Sequence, residues 1–337
     1  MNQRIRLIVL VLAFIVALGA VVNALPQGYF AAALERSAAV RDARNAASEA
    51  ERRASTLAAD ADTTGVELLT ARHAAESATL GLTVARLSLR RSLEVELAAW
   101  RQATQGAELA RLRATLAQGN LAAARKRLSA GVISRAELGR AEGAAREATS
   151  AVDEAALDAD AAERALRLRA GALPGTNAAS EPTPKLERAA LLAVLERTPR
   201  VVEARQRVER ARIEVDAKDP EASSALEIEA SRNALAAAER GLSETRDSVR
   251  LAIIAALEAL EAAVNATVGR ERAVTGAAAD LRAQEARLAR GAISRLALLE
   301  SRIALESVRG TLAAARERAG LALVDVAISA NFDAWAR

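Results

Sequence analysis

Arg127 to Ala141 reads RLSAGVISRAELGRA, and Arg287 to Ser301 reads RLARGAISRLALLES. The two stretches share the frame Arg-Leu-x-x-Gly-x-Ile-Ser-Arg-x-x-Leu, displaced by 160 positions. Gly131 and Gly291 suit the left-handed residue just past a helix end, and Ser134 and Ser294 suit the cap of the next helix. Each stretch is therefore a tight helix–turn–helix tip. Val132-Ile133 and Ala292-Ile293 stay between cap and cap, as a short apolar loop with no evident place to bury itself.

The duplication extends in both directions from these tips. Ala33–Arg44 aligns with Val194–Arg205, and Leu82, Arg86, Ser88 and Arg90 align with Leu242, Arg246, Ser248 and Arg250. All three matches hold one register to within a residue, so the chain is a tandem repeat with a unit far longer than the ~20–50 residues of solenoid repeats. The expected divisions are an N-terminal segment 1–24, repeat 1 at 25–170, a turn-rich linker at 171–185 and repeat 2 at 186–337. Each repeat has an earlier break, Asp60–Gly65 in the first and Asp216–Ser224 in the second. The expected unit is a short helix, a turn, a long helical stretch, the tip and a return helix.

Composition points the same way. Half of the 337 residues are hydrophobic (51%) but only 2% are aromatic, and alanine supplies much of the apolar count. Alanine favours helix and has too little side chain to fill a thick core, so the fold class is all-α with long, closely packed helices. The return helices carry the clearest period. Leu138, Ala141, Ala145, Ala148, Val152, Ala155, Ala159, Ala162 and Leu166 follow 3-4 spacing, as do Leu298, Ser301, Leu305, Val308, Leu312, Ala315, Ala319, Ala322 and Val326. These are coiled-coil seams, and Ala144, Ala151 and Ala165 beside the first leave room for a second neighbour. A helical path from the first break to the tip would run on the order of 100 Å, with Gly106, Gly119, Gly269 and Gly276 as candidate interruptions. Helices with apolar seams on both edges predict a homo-oligomer.

The N-terminus has Arg4 and Arg6 before the apolar run Leu7–Val22, which suits a signal peptide or an N-terminal membrane anchor. Leu18-Gly19-Ala20 and Val22-Asn23-Ala24 offer small residues for cleavage. Either outcome exports the chain, and nothing later reads as a second span.

Several function classes drop out. The chain has no cysteine and a single histidine, His73. Disulfides, thiolate metal sites and histidine-based catalysis are excluded, and His73 on a polar helix reads as solvated. Asp153, Glu154, Asp158 and Asp160 read as a surface cluster that pairs with arginines. There is no phosphate-cradling glycine loop and no nucleophile elbow, so neither an enzyme nor a cofactor is expected. The 47 basic and 43 acidic residues are interspersed, without the basic stripe and aromatic platforms of a nucleic-acid binder. An amphipathic lipid binder would want bulkier apolar faces. Phe332 and Trp335 read as local packing at the C-terminus.

Tandem hairpins closed by Gly-x-Ile-Ser-x-x-x-Leu tips, together with the Leu-Glu-Arg-Thr-Pro-Arg-Val-Val-Glu-Ala-Arg run at 195–205, resemble the TolC-like outer-membrane efflux proteins. The resemblance covers nearly all of 30–335. It implies a trimer whose helical barrel crosses the periplasm, with tips that meet a periplasmic adaptor bound to an inner-membrane transporter. Carried onto this chain, the tips are Gly131, Val132, Ile133, Ser134, Gly291, Ala292, Ile293 and Ser294. The family also implies a β-barrel at the first break of each repeat, and here the sequence departs. A spanning strand needs ~9–11 alternating residues, and only Ala225–Ala230 alternates, so the β-barrel is expected to be absent or vestigial. The functional expectation is an efflux or export conduit in the periplasm and cell envelope. The alternative is a non-conducting, membrane-anchored coiled-coil scaffold.

Overall fold

A computed structural model describes residues 25, 26, 28–173, 184, 187–219 and 223–335. The N-terminal segment 1–24, with its apolar run and both cleavage positions, and most of the linker 171–185 lie outside the described residues. Eight α-helices occur among those described: α1 Tyr29–Arg36, α2 Ala38–Ala59, α3 Gly65–Ser129, α4 Arg135–Ala170, α5 Arg188–Ala193, α6 Pro199–Asp216, α7 Ala225–Ala289 and α8 Arg295–Ala330. A single 3-10 turn, Leu195–Arg197, joins α5 to α6. The long helices α3 and α7 are both 65 residues, and the return helices α4 and α8 are both 36. The internal repeat is thus a repeat of structure as well as of sequence.

Two expectations need correction. Gly106, Gly119, Gly269 and Gly276 do not interrupt the long helices. An isolated glycine costs a helix about 1 kcal/mol, which flanking turns of alanine, leucine and arginine outweigh. At Gly119 the missing side chain has a use, because a Cβ there would collide with the Leu296 side chain of α8. The short opening helix is also two pieces in each repeat: α1 and α2 in the first, and α5 with its 3-10 turn and α6 in the second. Ser37 and Thr198 mark these joints as extended residues before helix starts.

The first break is short. Five residues, Asp60 to Thr64, link α2 to α3, and Thr64 and Glu67 form a reciprocal cap: Glu67 N–H donates to Thr64 Oγ1 (3.3 Å) and Thr64 N–H to Glu67 Oε2 (3.0 Å). Ser224 and Glu227 repeat this at α7, at 3.2 and 2.9 Å. Each cap satisfies two of the backbone donors that a helix start leaves open. The alternating stretch Ala225–Ala230 is the first turn of α7, capped at Ser224, and not a strand. Among the described residues there is no β-strand, only an isolated bridge at Pro26.

The chain divides into two compact units, one built from residues 93–173 and 262–321 with Tyr29, the other from 30–92, 187–261 and 322–335. Each draws on both repeats. In the first unit the contacts order the helices as α4, α3, α8, α7. Arg169 of α4 pairs with Glu96 of α3, and Arg125 of α3 pairs with Glu142 of α4. Gln102 Nε2 of α3 donates to Glu317 Oε2 of α8 (2.9 Å), and Arg316 of α8 donates to Glu271 of α7 (2.8 Å). No member of either predicted seam is exposed. The inner helix α8 is the more buried, with Leu305, Leu312, Ala315 and Ala319 all at 9% exposure or less, whereas α4 buries only Ala145, Leu166 and Ala170. A helix with two neighbours loses more surface than one with a single neighbour.

In the second unit α6 lies against α3 through a polar lock. Arg205 Nη2 and Gln206 Nε2 donate to the two oxygens of Glu76, and His73 Nε2 is 2.6 Å from Glu209 Oε2. His73 is 7% exposed, so it is a buried member of this lock rather than a solvated residue. Arg246 of α7 makes a two-pronged contact with Glu196 of the 3-10 turn, at 2.8 and 2.9 Å. Arg90 of α3 lies over the rings of Trp335 and Phe30, its guanidinium 3.8 and 5.2 Å from their centroids. The C-terminal aromatic Trp335 therefore fastens the chain end, while Phe332 stays 37% exposed.

Glu317 carries a pH dependence. It is 4% exposed, and burial raises its pKa above the usual carboxylate value, with opposition from the Gln102 hydrogen bond and from Arg101. The native state thus holds this proton more tightly than the unfolded chain. The unfavourable contribution is absent below the ordinary carboxylate range and grows as pH rises through the shifted value. Glu317→Gln keeps an oxygen for Gln102. It should be as stable as the parent or more so at about pH 8, with the gap closing toward about pH 4. Denaturant melts at both pH values read this, and a destabilised variant at about pH 8 would overturn it.

Candidate functional site

Both tips close in one geometry. Val132 N–H donates to Arg127 C=O and Gly131 N–H to Leu128 C=O, each at 2.9 Å. Ala292 with Arg287 and Gly291 with Leu288 repeat both bonds at 2.9 Å. The pattern is the paired closure that ends a helix on a left-handed residue, and Gly131 and Gly291 have φ of 69° and 68°. A side chain at either glycine would be strained there. Ser134 Oγ accepts from Glu137 N–H (3.2 Å) and Ser294 Oγ from Ala297 N–H (3.1 Å).

The tips differ in two ways. At the first, the Glu137 carboxylate returns a bond from Ser134 N–H (2.7 Å), which with the serine hydroxyl holds its pKa below the usual carboxylate range. The second tip has Ala297 at that position and only half the cap. The apolar side chains also differ in what they offer. Val132 is 70% exposed, and Ile133 and Ile293 are half-buried. The projecting apolar group is Val132, matched by the exposed Ala292.

Sequence reading missed the charge around the tips. Arg125, Lys126, Arg127 and Arg135 are exposed at the first, and Arg287, Arg290 and Arg295 at the second. An open groove of about 490 Å3 lies behind the first tip, lined by Gln118, Leu121, Arg125, Glu142, Ala145, Arg146 and Thr149. It is a surface trough, without the enclosure that a substrate cavity needs. Asp153, Glu154, Asp158 and Asp160 are exposed on α4, and among the described residues no acidic or histidine cluster is arranged to hold a metal ion.

Helices α4 and α7 each hold a second feature. On α7, Ala252, Ala255, Ala259, Ala262, Ala266, Gly269, Ala273 and Gly276 follow 3-4 spacing, and every one is exposed. On α4, Ala144, Ala151 and Ala165 are exposed, with Leu157 at 66% and Leu168 at 87%. The α7 stretch also corrects the expectation that nothing past the N-terminus reads as a span. Helix α7 contains an 18-residue window of mean hydropathy 1.7, of which 22% is buried, so by length and composition it is apolar enough to cross a membrane. Its density of small residues at 3-4 spacing is also what a closely approaching helix requires.

No protein-family model matches the sequence, and no curated protein does. Solved structures do match in fold. CusC, a transmembrane channel, superposes with a TM-score of 0.63 at 14% identity, over 92% of this chain and 96% of its own. The outer-membrane channel OprN gives 0.62 at 14%, over 94% of each chain. The MtrE outer membrane channel of Neisseria gonorrhoeae, in its open state, gives 0.60 at 15%, over 91% of this chain and 88% of its own. The fold is that of the TolC-like channel proteins, built here entirely from helices among the described residues.

Proposed function

We propose that this chain is one subunit of an oligomeric helical conduit in the cell envelope, of the efflux or export type. The observation that carries the reading is the row α4, α3, α8, α7 with exposed small-residue seams on both outer helices. Seams on both sides are satisfied when copies close into a ring, and a ring of alanine-lined helices with charged outer faces encloses a hydrated path. Three copies would give six quasi-equivalent hairpins. The likeness to outer-membrane channels supports the envelope location, and the N-terminal segment supplies export or anchoring. The tips would dock a periplasmic adaptor that bridges to an inner-membrane transporter. Their exposed Val132 and Ala292, set among arginines, favour an adaptor surface with a small apolar spot and an acidic rim. The protein itself would do no chemistry.

The test is the native mass of the purified full chain by light scattering, with electron-microscopic class averages viewed along the axis. A trimer with a central lumen is expected, and a monodisperse monomer overturns the proposal. For the tips, Val132→Asp with Ala292→Asp should weaken adaptor capture about tenfold or more, as a lost interface anchor does, and leave the oligomer intact. Unchanged capture would remove the docking role. Ile133 and Ile293 are less direct probes, since both are half-buried.

One observation favours a second reading. The five-residue link Asp60–Thr64 has no room for membrane-spanning strands, which is what a non-conducting, membrane-anchored scaffold would need to have lost. Conductance across a bilayer by the purified oligomer separates the two.

A further inference from the structure

The two tips concentrate one sign of charge. Within ten residues of Gly131 stand five basic residues and one acidic, and within ten of Gly291 four basic and two acidic. That is a net charge of +6 in a chain whose total is +4. All nine of these cations are exposed. Both tips lie at one end of the first unit, because the Leu296 side chain, just past the second tip, occupies the space at Gly119 of α3, twelve residues before the first.

Helix chemistry accounts for part of this charge and not for the rest. Lys126 and Arg127 end α3 and Arg287 ends α7, where the helix dipole favours cations. Arg135 and Arg295 hold the opposite places. They are the first residues of α4 and α8, where the dipole favours acids and a cation is unfavourable. Glu137 offsets this at the first tip by bonding back to Ser134, but α8 has no acid in its first turn. Arg290 stands in the second turn itself, between the helices. Among the described residues none of these three arginines is ion-paired. Helix formation does not ask for them, so their effect is on whatever approaches this end.

We propose that the tip end is an electropositive mouth and that the conduit takes anionic solutes through it. This rests on the conduit reading and deepens it by naming the charge of the cargo. Where a helical wall ends at its tips, every copy brings the same cations to the same opening. Such an opening draws in anions, raises their local concentration and repels cations. Val132 and Ala292 offer contact to a partner, while the arginines beside them set the sign of the field that cargo meets. An adaptor with an acidic rim would cover part of this charge, so the free oligomer shows it in full.

The chain has no cysteine, and Val132 and Leu226 are 70% and 77% exposed. Leu226, near the start of α7, is the contrasting site, with two basic and five acidic residues within ten positions. Val132→Cys and Leu226→Cys in the full chain, each reacted with an anionic (sulfonatoethyl) and a cationic (trimethylammonioethyl) methanethiosulfonate, report the local potential as a ratio of rates. At low salt the anionic-to-cationic ratio should be about tenfold or more higher at position 132 than at 226. The difference should vanish near 1 M salt, where charges are screened beyond ~3 Å. Adding Arg135→Gln, Arg290→Gln and Arg295→Gln to Val132→Cys should remove about half of the difference or more, at unchanged helicity. For cargo, the purified oligomer in a planar bilayer under a potassium chloride gradient should show a reversal potential of anion preference, and the triple glutamine variant should lose most of it. Equal rate ratios at the two positions overturn the electropositive mouth whether or not the chain conducts. A conducting oligomer that prefers cations or passes both ions alike, or whose anion preference survives the glutamines, overturns the cargo assignment, leaves the conduit standing and turns the charge over to an acidic partner surface. An oligomer that does not conduct overturns the conduit reading and the cargo assignment with it.

Discussion

Replacing Arg90 with alanine should cost the second unit about 3 kcal/mol, the largest single-residue loss expected outside the aliphatic core. Arg90 is 1% exposed, and its guanidinium lies 3.8 Å from the Trp335 ring centroid and 5.2 Å from that of Phe30. A desolvated cation–π contact contributes about 2 kcal/mol or more. The buried aliphatic stem adds packing that alanine cannot replace. The contact also ties three distant parts of the sequence together: the start of α1, the middle of α3 and the end of the chain. Without it the terminal segment keeps the Arg86–Asp333 ion pair (3.1 Å) but loses the aromatic contact. Arg90→Lys should recover less than half of the loss, since a compact ammonium does not stack as a planar guanidinium does. In a Trp100→Phe background Trp335 is the only remaining tryptophan, so its emission reports the contact directly. A red shift with a lowered denaturation midpoint is expected for Arg90→Ala. An unshifted emission and an unchanged midpoint would mean the stack contributes nothing.

The parts of this fold that the sequence displays are those fixed by local chemistry or by repetition. Gly131 and Gly291 specify the left-handed turn, Ser134 and Ser294 specify the caps, and the shared offset forces equal helices. The seams on α4 and α8 are legible because leucine, valine and alanine alternate there with charged residues. Readings that depend on distant neighbours fare worse. His73 sits in a polar stretch, and nothing nearby in sequence announces that Arg205, Gln206 and Glu209 of α6 will cover it. Gly119 reads as a weak point until Leu296, far along the chain, is seen filling its space. The alternation at Ala225–Ala230 is too short to separate strand from helix by period alone, and Ser224 with Glu227 decides for helix.

The candidate site was half legible for a related reason. Isoleucine recurs at both tips, and recurrence suggested a docking residue. In three dimensions Ile133 and Ile293 are half-buried, and Val132 is the apolar side chain that projects, with Ala292 exposed at the other tip. The small seam on α7 was hidden by abundance. Alanine is so frequent between Ala252 and Gly276 that several faces look apolar, and only burial shows which stripe lacks a neighbour. Val249, Ile253, Leu260 and Val264 are buried, and the alanines on the other side of the helix are not.

Enlarging the seam of α8 should be more damaging than any change on the outer faces. Ala315 and Ala319 are 3% and 0% exposed, one turn apart on a helix with neighbours on both sides. Each extra set of buried carbons forced into a packed interior costs about 1–3 kcal/mol. Ala315→Leu together with Ala319→Leu should therefore cost about 4 kcal/mol if the two add. Helix propensity does not offset this, because leucine is no better a helix former than alanine. The same pair on the exposed α7 stripe, Ala255→Leu with Ala259→Leu, should leave a single folded chain near its parental stability, since nothing within that chain opposes the added atoms. If the exposed stripe is a meeting surface between copies, this second pair should instead lower oligomer mass at unchanged helicity. Circular dichroism through a denaturant titration gives the stability of each variant, and light scattering gives its mass. Equal midpoints for the α8 pair and its parent would mean that the alanine seam has spare room. Close approach of the helix axes would then not be what holds the first unit together, and the account of why this chain uses alanine where other helical proteins use leucine would fail.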